Sequence, residues 1–157
     1  NLSVCVMKKL IFAAVALFVC VSPVCAAASG DWSDDRPIKY AELPAEAKAF
    51  VDEYFAKEKV SHVIRDRDLL STDYKVVFVS GAKVEFDGSG KWTEVDCRYT
   101  KVPEAIVPKK IADYVKANYP TSKIFEITKE RNEWEVKITG GLELTFDSAL
   151  NLIDIDD

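Results

Sequence analysis

Histidine, cysteine and glycine are scarce in this chain of 157 residues, which has one histidine, four cysteines and six glycines. Three of the cysteines lie within the first 25 residues, so beyond residue 28 only Cys97 remains. No internal disulfide can form there, and a folded domain must be held together by its hydrophobic core. With His62 as its one histidine, nucleophilic catalysis would have to use that residue or a lysine or carboxylate base.

Long apolar runs are absent except near the start of the chain. Two lysines precede the apolar run Leu10–Val21, which ends in Ser-Pro and small residues. This order is typical of a secretory signal peptide, and the run is too short for a membrane anchor of about 20 residues. We therefore expect a signal peptide over residues 1–28, cleaved after Ala26 or Ala28, and a periplasmic or secreted protein.

Positive charge is in deficit. The chain has 21 lysines and arginines against 26 acids, a formal net charge of −5. Without residues 1–28, which contain two lysines and no acid, 19 basic residues face 26 acids and the net charge is −7. This charge disfavours nucleic acid and anionic membrane surfaces as partners, so we expect neither once the signal peptide is removed.

Two parts of the chain resemble each other. The matching segments are residues 43–64 with 107–128, at a shift of 64, and residues 73–96 with 133–156, at a shift of 60. The sequence therefore predicts a domain at 43–157 made of two copies of one unit, repeat 1 (43–100) and repeat 2 (101–157). The polar leader at 29–42 has too few periodic apolar positions to predict an element.

Each copy begins with a proline at a predicted helix start. Apolar residues then follow at helical spacing: Ala47, Phe50, Val51, Tyr54 and Phe55 in the first copy, and Ile111, Tyr114, Val115 and Tyr119 in the second. Alternating segments, such as Tyr74-Lys75-Val76-Val77-Phe78, are typical of half-buried strands. We predict an α+β fold in which each unit is one helix followed by about four short antiparallel strands.

Hairpin registers follow from the rule that opposed residues on antiparallel strands share a face. We assume three-residue loops in the first hairpin of each unit and a loop with an even number of residues, centred on Ser89-Gly90, in the next. The predicted opposed pairs are Phe78 with Ala82, Ile138 with Leu142, Phe86 with Thr93, Val84 with Val95, Phe146 with Ile153, and Leu144 with Ile155. This register buries Phe86 and Phe146, and it turns Trp92 away from the helix, opposite Asp87 and beside Val77.

The stretch FDGSGKW at residues 86–92 has the acid and glycines of a calcium loop or a phosphate cradle. An EF-hand needs a glutamate at its twelfth position, where Arg98 stands here, and a phosphate loop needs a following helix. We interpret the stretch as a hairpin turn and predict no metal or cofactor. Cys97 and His62 could in principle pair as nucleophile and base, but the register puts Cys97 on the core side, where a lone cysteine acts as a small hydrophobe.

Carboxylates gather on the predicted open face of the second unit, at Glu133, Glu135, Glu143, Asp154 and Asp156. Paired acids can carry out acid–base catalysis or bind cations, and a solvated strand face gives the same pattern. The two copies also differ in charge at matched positions, with Lys75 and Lys83 in the first where glutamates stand in the second. This divergence suits either a two-part binding surface or drift.

The chain resembles the exported PepSY-like, β-lactamase-inhibitor-like family. The resemblance covers residues 43–157 and rests on the duplicated unit, the Leu-Pro helix start, the signal peptide and the stretch FDxxGxW at Phe86, Asp87, Gly90 and Trp92. The second copy keeps Phe-Asp but has leucine at the glycine and tryptophan positions. The resemblance implies a two-layer α/β sandwich like β-lactamase inhibitory protein, with one continuous curved sheet, helices on one side and no established enzyme activity.

Three classes of function follow. The first is a non-enzymatic periplasmic binding or inhibitory module that contacts a protein or peptide through the open sheet face. The alternatives are a structural envelope protein and a hydrolase that uses clustered carboxylates. The candidate contact residues for the binding module are Lys75, Val77, Lys83, Glu85, Trp92, Glu94, Glu135 and Glu143.

Overall fold

The computed structural model describes residues 35–68 and 70–157, which contain two α-helices, one 3-10 turn and nine β-strands. Helix α1 spans Ala45–Tyr54, helix α2 spans Lys109–Asn118, and the 3-10 turn spans Tyr40–Glu42. The strands are β1 (Arg36–Ile38), β2 (Val60–Arg67), β3 (Thr72–Phe78), β4 (Lys83–Phe86), β5 (Trp92–Asp96), β6 (Ile124–Lys129), β7 (Glu133–Ile138), β8 (Glu143–Asp147) and β9 (Leu152–Asp156). The predicted signal peptide lies outside the described residues.

All nine strands form one antiparallel sheet in which each strand pairs with its neighbours in the chain, in the order β1 to β9. Helix α1 precedes β2–β5 and helix α2 precedes β6–β9. Strand β6 returns beside β5, where Val95 lies opposite Ile127. The fold is therefore α+β with an open nine-stranded antiparallel sheet, and this confirms the predicted class. Neither helix in the described part of the chain is long and apolar enough to cross a membrane.

Strand β1 and the 3-10 turn lie in residues 36–42, where the sequence predicts no element. Strand β1 pairs with β2, with Ile38 opposite Val63. The backbone N–H of Lys39 donates to Glu42 Oε2 at 2.8 Å, which closes the turn. The prediction is wrong here because a three-residue strand is too short to show a period and depends on its partner strand for hydrogen bonds.

Both helices begin directly after a proline, Pro44 or Pro108, whose φ angles are −52° and −54°. Each proline is the cap residue, with ψ of 147° or 134° outside the helical range, and it suits this position because it has no N–H to leave unpaired. The predicted apolar faces are confirmed: Ala47, Val51, Phe55, Ile111 and Val115 are buried, and Phe50, Tyr54, Tyr114 and Tyr119 are partly buried against the core.

The core lies between the two helices and one face of the sheet. Phe86 and Phe146 are fully buried in it, as predicted. The rings of Phe50 and Phe86 meet edge to face at 5.7 Å and 83°, and those of Tyr114 and Phe146 meet at the same distance and angle. Both helices therefore cover the same face. We call the other side of the sheet, which neither helix covers, the open face.

The first hairpin of each half has the predicted register. The N–H of Phe78 donates to the carbonyl of Ala82 at 2.8 Å, and that of Ile138 donates to Leu142 at 3.0 Å. Gly81 and Gly141 close these loops with φ of 90° and 94°. A glycine near the end of a three-residue loop adopts this left-handed conformation without steric cost.

The next hairpin differs from the prediction in both halves. Its loop has three residues, because the N–H of Asp87 donates to the carbonyl of Lys91 and Phe86 lies opposite Trp92. A bulge between Phe86 and Glu85 then restores the predicted pairing of Val84 with Val95. The predicted pair of Phe86 with Thr93 is wrong, since Thr93 is the extra residue of the bulge.

The second half repeats this arrangement. Phe146 lies opposite Leu152, not Ile153, and the predicted pair of Leu144 with Ile155 is confirmed after the bulge. Ile153 is 54% exposed, so its predicted place in the core is also wrong. Leu150 has a φ of 63°, where the first half has Gly90 at 91°.

Candidate functional site

The bulge decides the position of Trp92. Because strand residues alternate between faces, the shift by one residue brings Trp92 to the same side as Phe86 and the helices. Its ring lies 6.0 Å from that of Phe50 and 5.9 Å from that of Trp134. The prediction that Trp92 faces outward beside Val77 is therefore wrong.

The FDxxGxW stretch packs its hairpin against helix α1. Asp87 Oδ1 accepts hydrogen bonds from Ser89 N, Ser89 Oγ and Lys91 N at 2.9, 2.6 and 3.0 Å. Burial acts to raise the pKa of Asp87, but these hydrogen bonds outweigh it and hold the pKa below its ordinary value. A Cβ on Gly90 would lie 2.8 Å from Pro44 Cβ and 3.0 Å from the nitrogen of Ala47.

The carboxylate of Asp87 thus holds a turn together. Asp147 has the same role in the second half, where its Oδ1 accepts from Asn151 N at 2.8 Å. Within residues 35–68 and 70–157, histidine, cysteine, aspartate and glutamate form no group of three or more that could hold a metal ion.

The other seven candidate contact residues all lie on the open face, in two adjacent rows that cross the sheet. The first row is Ile64, Lys75, Glu85, Glu94, Thr128, Glu135, Thr145 and Asp154. The second row is His62, Val77, Lys83, Asp96, Glu126, Lys137, Glu143 and Asp156. Each residue lies opposite the next on the neighbouring strand, and both rows run without interruption from β2 to β9. The structure therefore brings together the residues that the sequence places on this face in separate hairpins.

Lys83 is the centre of the charge network in the first half. Its Nζ lies 2.7 Å from Glu94 Oε1, 3.8 Å from Asp96 Oδ2 and 3.9 Å from Glu85 Oε1. Burial acts to lower the pKa of Lys83, but the hydrogen bond that Lys83 donates to Glu94 and the three negative charges outweigh it, and the pKa is raised. Lys75 extends the network, with its Nζ 2.8 Å from Glu85 Oε1.

The second half has one lysine in these rows, Lys137, which the sequence analysis did not single out. Its Nζ lies 2.5 Å from Glu126 Oε1 and 3.9 Å from Glu143 Oε2. The hydrogen bond to Glu126 is the main cause of the raised pKa of Lys137. Glu126 and Asp96 are the buried charged residues of this face, at 8% and 3% exposure. Asp96 lies opposite Glu126, on the two strands where the halves of the sheet join. The predicted hairpin registers do not specify this contact, because β5 and β6 belong to different hairpins.

Glu135 is a partly buried carboxylate of this face with like charges around it, and its pKa is raised. Burial is the main cause of its raised pKa, and the charges of Glu143, Glu130 and Glu133 add to it. The lysine at the matched position of the first half, Lys75, pairs with Glu85 instead. The first half of the open face is therefore a balanced network, and the second half carries excess negative charge.

We expect Glu135→Gln to stabilise the protein at neutral pH by a few tenths of a kcal/mol, as relief of like-charge repulsion across strands does. A raised folded-state pKa means that the charged form of Glu135 destabilises the fold above that pKa. The gain should therefore shrink as the pH falls through the raised pKa, and it should be lost below the ordinary glutamate pKa of about 4.3. Urea unfolding of the variant and the parent protein at pH 7 and at pH 4 checks this. If the two proteins were equally stable at pH 7, Glu135 would not destabilise the fold as described.

His62 and Cys97 lie on opposite faces and form no catalytic pair. His62 is exposed on the open face beside Ser61 Oγ at 3.2 Å, whereas Cys97 is buried on the helix side. Burial raises the pKa of the Cys97 thiol to about 11. We expect iodoacetamide to leave Cys97 unmodified in the native protein at pH 8 and to modify it rapidly in urea, because the thiolate is the reactive form. Rapid native labelling, followed by mass spectrometry, would contradict this.

Comparison with known proteins relates the whole described fold to a family. Residues 72–154 match the family described as "Putative beta-lactamase-inhibitor-like, PepSY-like". No curated protein matches the chain. A "putative calcium-regulated periplasmic protein" of known structure from Bacteroides thetaiotaomicron is 44% identical, with a TM-score of 0.78, and the match covers 79% of this chain and 98% of that chain.

Two solved structures from Bacteroides vulgatus are also similar. One, a periplasmic protein of the DUF2874 family, is 42% identical with a TM-score of 0.77, and the match covers 79% of this chain and 98% of that one. The other, a periplasmic protein of unknown function, is 31% identical with a TM-score of 0.75, over 78% of this chain and 99% of that one. The family match over more than half of the sequence, on a shared fold, shows that this chain belongs to the PepSY-like family.

Proposed function

We propose that this protein is a non-enzymatic periplasmic module that binds, and thereby inhibits or sequesters, a protein or peptide through the open face. The observation that carries the proposal is the pair of charged rows that cross the whole sheet on the side that neither helix covers. An extended face of this kind suits contact with another protein surface rather than a small substrate. In the first half of the face, Lys75 and Lys83 are held in ion pairs with Glu85 and Glu94, so these groups are not free for catalysis.

The charge of the face indicates the surface that it contacts. Carboxylates outnumber lysines in both rows, and the excess lies in the second half around Glu135 and Glu143. A partner that places lysine or arginine over this half is favoured by electrostatic complementarity, and its binding should weaken as salt is added. In the first half, Lys75 and Lys83 pair with Glu85 and Glu94, so this half is less negative than the second. The face therefore has two parts of different charge.

The proposal includes the origin and general form of the module. We infer that repeat 1 and repeat 2 arose by duplication of one unit, supported by the matching contacts of Phe86 and Phe146 with their helices. We infer also that the sheet is used as in β-lactamase inhibitory protein, with one continuous surface across both units. The family description and the periplasmic location of the solved relatives support an exported, non-enzymatic role.

The test begins with capture of a binding protein from an envelope extract and continues with quantitative variants. We expect Glu135→Lys with Glu143→Lys to lower the affinity for the purified partner by about tenfold or more. Loss of one partner of a buried interfacial charge pair costs about 2–5 kcal/mol, and about 1.4 kcal/mol is already tenfold in affinity. The matched control is Glu46→Lys with Glu53→Lys, which changes the net charge equally on helix α1. Equal affinities for both double variants would contradict use of the open face.

A further inference from the structure

Strand β9 is the last strand of the sheet and pairs on one side only, with β8. Within the described residues, no strand lies beside its outer edge. The other end of the sheet differs, because β1 has three residues and contains Pro37, which has no N–H to donate. Strand β9 has five residues, Leu152–Asp156, and no proline. It is therefore the edge of the sheet that can accept a further strand.

The outer edge of β9 presents backbone groups that do not bond to β8. The N–H of Asp147 donates to the carbonyl of Asn151 at 2.9 Å. Counted from this pair across the bulge, Ile155 lies at a position of the ladder that exchanges no hydrogen bond with β8. Its N–H donates instead to Asp154 Oδ1 at 3.0 Å, an exposed bond within β9 itself. The N–H and carbonyl of Ile155 therefore point outward, toward the position of a further strand.

The first half of the chain shows what covers a strand of this kind. Strand β5 has the matched position, since Val95 lies opposite Val84 as Ile155 lies opposite Leu144. Strand β6 lies along the outer edge of β5, with Ile127 opposite Val95. Val95 is fully buried as a result, whereas Ile155 is 43% exposed. The relation of β6 to β5 is therefore a model for a strand added to β9.

The residues of β9 specify the chemistry of the added strand. The side chain opposite Ile155 should be apolar, because it takes the place that Ile127 has in the first half. Asp154 and Asp156 flank Ile155 on the open face and are exposed. Glu143 lies opposite Asp156 and adds a third carboxylate. The side chains of the added strand that lie opposite the aspartates are therefore favoured as lysine or arginine.

A second copy of this chain does not suit this edge. Two β9 strands paired antiparallel about Ile155 would place Asp154 of each copy opposite Asp156 of the other. Four aspartates would then lie together on one face, and like charges directly opposite each other are destabilising. A basic segment of another protein would instead compensate the aspartates.

We propose that β9 binds an extended segment of another protein as a further antiparallel strand, in which apolar residues alternate with lysine or arginine. The backbone of the segment bonds to the outward N–H and carbonyl of Ile155, and its basic side chains continue the two rows of the open face. Affinity in this mode of recognition comes from main-chain hydrogen bonds, and specificity comes from alternate side chains. The site is the edge of the sheet, so the inference goes beyond a contact with the open face.

The test is titration of the purified protein with a short peptide of alternating lysine and valine, long enough to span β9, followed by calorimetry and methyl NMR. We expect saturable binding that shifts the methyl signals of Ile155 and leaves those of Ile38, on strand β1, unchanged. The same peptide with glutamate in place of lysine should not bind. Absence of saturable binding would overturn the proposal, as would equal shifts at Ile38 and Ile155.

Backbone methylation of the peptide separates strand pairing from charge attraction. Where β6 pairs with β5, the N–H of Cys97 donates to the carbonyl of Phe125 at 2.6 Å, so Val95 and Ile127, two residues along, also face each other with their backbones. The valine amides of the peptide should face β9 in the same way. N-methylation of the valines should therefore abolish binding, whereas N-methylation of the lysines should preserve it. Equal binding of the two methylated peptides, or the reverse order, would overturn the proposal.

Variants of the protein locate the contact. Asp154→Asn with Asp156→Asn should weaken binding of the unmethylated peptide by about threefold or more, the effect of losing two cross-strand charge pairs. The matched control, Glu46→Gln with Glu53→Gln, removes the same charge from helix α1 and should leave binding unchanged. Equal weakening by both double variants would overturn the proposal.

Sedimentation of the protein without peptide tests the other occupant of the edge. We expect a monomer, and a dimer that the peptide dissociates would overturn the proposal by assigning β9 to a second copy. None of these measurements uses a partner captured from the envelope, so their outcome is independent of the test of the open face.

Discussion

Replacement of Phe86 by alanine is expected to lower the free energy of unfolding by about 3–5 kcal/mol, and Phe146→Ala by a similar amount. Both rings are fully buried, and each meets an aromatic ring of its helix edge to face at 5.7 Å. Truncation removes these contacts and leaves a cavity that the packed sheet cannot close. Chemical denaturation of the two variants and the parent protein measures the loss.

Ile153→Ala is the matched control for Phe146→Ala. The two-residue loop would place Ile153 opposite Phe146 in the core, but the observed bulge leaves Ile153 54% exposed. We therefore expect Ile153→Ala to cost less than about 1 kcal/mol, as substitutions at exposed positions usually do. A loss from Ile153→Ala as large as that from Phe146→Ala would contradict the bulged register and restore the simpler hairpin.

Gly90→Ala is expected to be the most destabilising glycine substitution, with a loss of about 2–5 kcal/mol. Two effects add: the φ of 91° costs alanine about 1–2 kcal/mol, and overpacking of a new methyl group costs about 1–3 kcal/mol more. The methyl group would lie 3.0 Å from the backbone nitrogen of Ala47, which cannot move without shifting helix α1. Thermal or urea unfolding of the variant measures the sum.

Gly141→Ala isolates the first effect, the cost of the positive φ. Gly141 has almost the same φ, 94°, but a Cβ placed there meets no atom within 4 Å. The backbone term should therefore be common to both variants, and the additional loss in Gly90→Ala should report the contact with helix α1. Equal losses in the two variants would show that the hairpin does not approach the helix as closely as described.

The sequence is sufficient to predict the helices and the first hairpin of each half. In the second hairpins it also predicts the strand pairing on the side of the bulge away from the loop, such as Val84 with Val95. The apolar spacing from Ala47 to Phe55 specifies one helical face, and the glycine at the end of each three-residue loop specifies its turn. The bulge could not be predicted in the same way. A two-residue loop without a bulge and a three-residue loop with a bulge both place Val84 opposite Val95. The pairing of these valines therefore cannot distinguish the two kinds of hairpin.

The bulge also explains why seven of the eight candidate contact residues lie on the predicted face and one does not. Lys75, Lys83, Glu85 and Glu94 lie beyond the bulge, where both registers agree, but Trp92 lies before it and changes face. The joining of the rows across β5 and β6 depends on contacts between residues about 30 positions apart. Such long-range pairing is set by packing of both helices on one sheet and leaves no local pattern in the sequence.

The most direct test of the proposed function is methyl NMR of the protein with its purified binding partner. Val77 and Ile64 place methyl groups in the two rows of the open face, and Ala117 places one on the exposed side of helix α2. We predict that the partner shifts the Val77 and Ile64 signals in a saturable and salt-sensitive way and leaves the Ala117 signal unchanged. Shifts at Ala117 without shifts at Val77 and Ile64 would contradict the account and move the binding surface to the helix side.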